Sequence, residues 1–362
     1  MYRTKHVEKL RVGLIGLGTV GQVVHLPVLG GLKDKFEVVA VCDVSARLVE
    51  RVADAYQVEG RYTDHAAMLA AEKLDVVAVI NSDEYHADCA VDALASGAHV
   101  LIEKPVCLSL ADLDRIIAAR DAAGKIAFVG YMRRFAGAYA AMKARLASGP
   151  SPLHVAVRDI IGPNAFFIGQ TTVVEVGDDI APSLIAERQE RAESQVRAAL
   201  GQVSSDAVSA YRLLCGLGSH DLSAMRGLIG APKGVIGAGK KSGGRYVAAI
   251  LDYGSFMATF EMGLDQVGRF DASIEAFTGS ERLRIDYDTP FIRHLPTLLT
   301  VQSTEGDALS VAIERPSYRD PYTSEWLHFH DAITAGVPVD TTLEDAAEDL
   351  KLFADIIAAF PD

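Results

Sequence analysis

Cysteine is scarce in this sequence, and what there is forms no pattern. The four residues Cys42, Cys89, Cys107 and Cys215 make no CxxC pair and no zinc-finger spacing. A disulfide framework is excluded, and a reducing compartment, the cytoplasm, is expected. Cys42 and Cys89 lie in apolar stretches and read as core fillers. The arrangement of the ten histidines leads to no inferred metal. Positive charge is also in deficit. A formal net charge of −13 repels phosphate backbones, so neither nucleic acid nor an anionic membrane surface is an expected partner. The start MYRTKHVEKLRVGLIGLG resembles a leader peptide only in outline, because its apolar run at 12–17 is short and runs into glycines. That run reads as a buried strand entering a turn, and no membrane span is expected. Internal repeats and low-complexity tracts are lacking as well.

What is present is a chain of 362 residues, too long for one ordinary core, so two domains are expected. The first 130 residues alternate short apolar runs at 11–15, 37–42, 76–80, 100–102 and 126–129 with helical patterns at 46–56, 85–96 and 110–123. The runs are rich in Val and Ile, as in strands buried on both faces of a parallel sheet. Ser45 and Ser109 are placed to cap helices, and Gly97 and Gly124 to end them. This is the pattern of βαβ units.

The texture changes near residue 150. Runs at 155–161, 246–253, 256–262, 271–278 and 282–287 alternate in polarity and are separated by turn signals such as Tyr253-Gly254-Ser255 and Thr278-Gly279-Ser280. Helices are expected at about 324–335 and 343–359. The fold class is thus an α/β Rossmann domain over 1–132, followed over 133–362 by an α+β domain built on an open, mostly antiparallel sheet. Residues 163–205, including the charged helical stretch 185–200, read as an excursion from that domain: a lid, an oligomer contact or a solvated surface helix.

Gly16-Leu17-Gly18-Thr19-Val20-Gly21 follows the first strand and opens a helix. The first glycine permits the tight turn. The second admits a pyrophosphate to the backbone, and the third lets helix and strand pack, so that the diphosphate sits on the helix N-terminus. Asp43 ends the second strand, 22 residues after Gly21. An acid there accepts hydrogen bonds from the ribose and repels a 2′-phosphate. Arg47, one turn further, partly offsets that repulsion. The cofactor expected is NAD, in preference to NADP.

At Glu103-Lys104-Pro105 the chain resembles the Gfo/Idh/MocA family, the group of glucose–fructose oxidoreductase and inositol 2-dehydrogenase. The likeness includes the Gly16–Gly21 fingerprint, His25-Leu26-Pro27, His86, the block from Gly97 to Pro105, Gly130-Tyr131-Met132-Arg133-Arg134-Phe135, Gly218-Ser219-His220-Asp221 and the C-terminal run 325–350. It implies a nicotinamide-dependent dehydrogenase that oxidises a ring hydroxyl of a sugar, glycoside or cyclitol to a ketone. It also implies a homodimer or homotetramer paired through the second sheet. Lys104 matches the lysine beside the nicotinamide, and His220 matches the general acid/base. Pro105 matches a proline that is commonly cis. A lysine in a partly desolvated pocket has a lowered pKa, and a histidine needs little tuning to work near neutrality. The sequence departs from the family pattern at Gly216, where an aspartate often stands four residues before the histidine. Asp159 is the candidate to replace it. Asn81, His86 and Glu103 are further cofactor contacts; Tyr131, Arg133, Arg158, Asn164 and Arg269 are candidate substrate contacts. A redox-neutral NAD-dependent glycosidase, an NADH-dependent reductase of a non-sugar carbonyl and a non-enzymatic NAD-binding sensor remain alternatives.

Overall fold

The computed structural model describes residues 9–361, so the first eight residues of the leader-like stretch lie outside the described residues. Six strands form the first sheet: β1 (Leu10–Ile15), β2 (Phe36–Cys42), β3 (Gly60–Tyr62), β4 (Val76–Val79), β5 (His99–Glu103) and β6 (Ala127–Gly130). All pair in parallel, in the order β3-β2-β1-β4-β5-β6. All four residues of β4 are fully buried, as expected for strands covered on both faces. The order reverses between β1 and β4, which opens a crevice at the carboxyl ends of the strands.

The covering helices are α1 (Leu26–Gly31), α2 (Ala46–Tyr56), α3 (His65–Ala71), α4 (His86–Ala95), α5 (Leu110–Ala123) and α6 (Gly137–Ser148). The two predicted serine caps are in place. Ser45 Oγ accepts from the Leu48 amide and Ser109 Oγ from the Asp112 amide, both at 3.1 Å. Gly124 ends α5 in the left-handed conformation. Strand β3 has no counterpart among the predicted runs; it is a three-residue edge strand with little apolar content.

The second sheet has eight strands: β7 (His154–Ile161), β8 (Gly234–Lys241), β9 (Tyr246–Asp252), β10 (Met257–Leu264), β11 (Phe270–Phe277), β12 (Glu281–Tyr287), β13 (Leu298–Glu305) and β14 (Ala308–Glu314). Their order is β14-β13-β12-β11-β7-β10-β9-β8, and every pair is antiparallel except β7 with β10. Strand β7 alternates cleanly: Val155, Val157, Asp159 and Ile161 are buried, and Arg158 is exposed on the other face. Between β7 and β8 run α7 (Asn164–Thr171), α8 (Pro182–Leu200), α9 (Ser205–Leu213) and α10 (Ser219–Ile229); α11 (Pro321–Ala335) and α12 (Leu343–Ala358) close the chain.

Helix α11 returns to the first sheet. Its Tyr322, Trp326 and Phe329 join the core formed by Val12, Leu14, Phe36 and Phe128, and Trp326 meets Phe36 edge-on at 5.1 Å. The two sheets are therefore bridged by helices rather than joined by a linker. The excursion also touches the first domain. Glu187 on α8 accepts from the Tyr85 hydroxyl, and Arg191 pairs with Asp88. Among the described residues no helix is long and apolar enough to cross a membrane.

Candidate active site

The glycine-rich turn has the geometry that a diphosphate requires. Gly16 has φ +100°, and a Cβ there would lie 2.4 Å from the Asn81 amide nitrogen, so no side chain fits. A Cβ on Gly21 would stand 3.0 Å from the Gly16 carbonyl oxygen. Gly18 is exposed and nothing would meet its Cβ within 4 Å, so its backbone lies open to a ligand. The Asp43 carboxylate accepts the Leu17 amide at 2.9 Å and the Ser45 amide at 3.0 Å, which fixes it beside the turn. These residues fit a dinucleotide: a backbone cradle for the phosphates and an oriented acid for the ribose.

A cavity of about 580 Å³ meets the glycine-rich turn at Val20 and is lined further by Asn81, His86, Lys104 and, from α8, Arg188 and Ala192. His86 bridges the loops after β4 and β5, contacting the Asn81 carbonyl at 3.1 Å and the Pro105 carbonyl at 2.8 Å. The Lys104–Pro105 peptide is cis. Glu103 accepts the Lys104 amide and meets Nε2 of buried His25 at 3.0 Å, and Trp326 donates to Nδ1 of the same ring. The backbone around Lys104 is thus held from three sides.

A second cavity, of about 200 Å³, lies toward the eight-stranded sheet. It shares Val20, Glu103, Lys104 and Gly216 with the first and adds Asn164, His220, Thr289 and Arg293. Lys104 stands where the two meet. Its Nζ donates to the Gly216 carbonyl at 2.5 Å, and burial lowers its pKa from the ordinary lysine value. His220 follows at the start of α10. Burial, with Lys104 and Arg133 nearby, pushes its pKa well below the usual histidine value, and its buried Nδ1 has no hydrogen-bond partner among the described residues. The buried side-chain oxygens of Asn164 and Thr289 are also unpartnered.

The candidate stand-in for the missing acid is engaged elsewhere. Arg133 donates to Asp159 at 3.0 Å and to Asp221, and all three are buried. The guanidinium lies over the Tyr287 ring, 4.8 Å from its centroid. Asp159 therefore holds Arg133, and its expected bond to His220 is absent. At Gly216 a backbone carbonyl faces Lys104 where a carboxylate was expected, although a Cβ there would meet open space.

Three predicted substrate contacts are placed away from the second cavity. Arg158 points to the opposite face of β7, onto Glu261 and Asp271. Buried Tyr131 lies under Arg134. Arg269 pairs with Asp265. The sequence reading missed the irregular segment 288–297, which supplies Thr289 and Arg293. Its available signal was the polar turn Asp288-Thr289-Pro290 inside a stretch without periodicity.

Residues 10–131 match the oxidoreductase family with an NAD-binding Rossmann fold, GFO_IDH_MocA. The chain is similar to the inositol 2-dehydrogenase of Salmonella typhimurium, with 36% identity over 142 residues, 39% of this chain and 42% of that protein. It is similar to the D-glucoside 3-dehydrogenase of Escherichia coli, with 33% identity over 127 residues, 35% of this chain and 36% of that one. These alignments span less than half the length of either relative. A 3-ketoreductase from Actinomadura kijaniata, solved with NADP and TDP-benzene, shares the fold with a TM-score of 0.74 over 98% of both chains at 18% identity.

Proposed function

We propose that this chain, whose N-terminal domain is an NAD-binding Rossmann domain of the Gfo/Idh/MocA family, oxidises a ring hydroxyl of a cyclitol, sugar or glycoside to a ketone. The observation that carries the reading is the position of Lys104 at the junction of two cavities, one running to the glycine-rich turn and one lined by His220. Residues 1–132 hold the cofactor and 133–362 the substrate. Gly16, Gly18, Thr19, Val20 and Gly21 take the phosphates, and Asp43 the ribose. Asn81, His86, Glu103 and Lys104 line or support the nicotinamide end. When bound, NAD supplies the two-electron acceptor.

The protein's own part is the proton. Lys104 donates a hydrogen bond to the substrate oxygen and stabilises charge that develops there. His220, kept neutral by its lowered pKa, accepts the hydroxyl proton. Asn164, with its unpartnered oxygen, receives a neighbouring hydroxyl. Asp159 acts at one remove, through Arg133. The family relatives support the substrate class, since those quoted act on an inositol and a glucoside by name.

Four buried, free cysteines support a cytoplasmic setting. Exposed Leu309, Val311 and Ile313 on β14 support pairing of the second sheet in a homodimer or homotetramer. The deciding experiment supplies NAD with a panel of inositols, sugars and glycosides and follows NADH and ketone together. Equal amounts of both support the reading. Free sugar without net NADH would point to the glycosidase chemistry, and no turnover with any member would remove the assignment.

A further inference from the structure

Residues 172–181, between α7 and α8, form an extended strap across the adenosine end of the first domain. Gln22, in the helix that opens at Gly21, exchanges two hydrogen bonds with the Glu175 backbone, both at 2.9 Å. Arg51 pairs with the Glu175 carboxylate at 3.2 Å. Gly177 lies so close that a Cβ would stand 2.6 Å from Ser45 Oγ. Asp179 then accepts from Ser45 Oγ and, at 3.1 Å, from the Arg47 amide; Asp178 pairs with the Arg47 guanidinium at 3.3 Å. The Ser45 hydroxyl bonded to Asp179 holds that carboxyl below the ordinary carboxylate range, so it stays ionised.

Ser45 and Arg47 sit immediately after Asp43, where the ribose binds in this fold. A free hydroxyl, a helix-start amide and an arginine are the groups that would receive a 2′-phosphate there. The strap takes all three. We propose that Asp178 and Asp179 are specificity-determining residues: they occupy the groups this chain would otherwise offer to a 2′-phosphate, and with Asp43 surround that position with negative charge. Rejection of NADP is thus built from the substrate half of the chain as well as from the end of β2. Asp178 and Asp179 are far in sequence from the fingerprint, so the excursion 163–205 has a task in cofactor selection.

The inference rests on the NAD-binding assignment and is independent of the substrate. Binding of NADH and NADPH is measured by calorimetry on the full chain without substrate. The wild type is expected to bind NADH at least about tenfold more tightly. In Asp178→Asn/Asp179→Asn, NADPH should gain about tenfold or more while NADH moves by less than about threefold. Adding Arg47→Ala should reduce that gain, because the released guanidinium is one of its sources. Glu175→Gln, which loosens the strap away from the ribose, should leave the ratio unchanged. An unchanged ratio in the double variant would overturn the proposal. So would equal gains for both cofactors, which would make the strap a cover over the whole site. Failure of the wild type to bind NADH would overturn the cofactor premise itself.

Discussion

Two polar clusters lie side by side beneath the eight-stranded sheet, and they are built on opposite plans. In the first, Arg133 is closed between Asp159 and Asp221 and roofed by Tyr287, with almost no exposure. In the second, Lys104 has one backbone carbonyl, and His220, which lines the cavity, has a ring nitrogen with no partner among the described residues. The paired cluster places its cation between two acids, although Arg133 also lines the cavity and one oxygen of each acid has no partner among the described residues, and removal of the cation would leave two carboxyl groups buried. The unpaired cluster has hydrogen-bonding capacity that a ligand or water entering the cavity can satisfy. A charge this well partnered secures the fold, and groups left unpartnered beside a cavity are the ones available for chemistry.

Four substitutions would break or sharpen this contrast. Lys104→Ala should have the largest effect, lowering kcat/KM by about a thousandfold or more while leaving the unfolding midpoint near wild type. Arg133→Met should do the reverse in kind. It should cost roughly 3–5 kcal/mol in urea unfolding, because both aspartates are left uncompensated. A fully stable Arg133→Met protein would show that the triplet is not what holds this region.

His220→Gln should reduce kcat by about a hundredfold. The wild-type pH profile carries the signs. In the proposed mechanism neutral His220 is the active form, so activity should fall as pH drops through its lowered pKa, placing the acid limb below the usual histidine range. In the same mechanism charged Lys104 is the donor, so the alkaline limb should fall below pH 10.5, because burial lowers that pKa too. An acid limb at ordinary histidine values, unchanged in His220→Gln, would remove His220 from the mechanism.

Gly216→Asp should have the smallest effect on rate. Its Cβ meets open space, so the chain should tolerate it. A carboxylate there favours the charged forms of both neighbours and should move both limbs of the profile upward. Unmoved limbs would show that residue 216 does not face the proton path.

The cofactor half was largely legible because its signals are local. Gly16, Gly18 and Gly21 are dictated by a turn, a close approach and a packing contact within six residues, and Ser45 and Ser109 cap helices three residues on. The parallel strands announce themselves as apolar runs. The second domain depends on pairings that no spacing encodes. Arg133 meets partners 26 and 88 residues away. Arg158 and Asp159 are adjacent in sequence, but the pleat sends them to opposite faces. Asp159 was expected to replace the missing acid, and its carboxylate is bonded to Arg133. The strap at 172–181 has no periodicity at all, and its role is visible only where Gly177 meets Ser45.

The central claim, that hydride and proton leave a ring carbinol beside Lys104, is tested most directly by isotope transfer. A cyclitol or glycoside that turns over is deuterated at the oxidised carbon and incubated with NAD and wild-type or Lys104→Ala protein, with NADH binding measured in parallel. The account predicts one deuterium delivered to the nicotinamide per ketone formed. It also predicts loss of that transfer in Lys104→Ala while cofactor affinity is kept. Deuterium released to water, or transfer undiminished in Lys104→Ala, would contradict it.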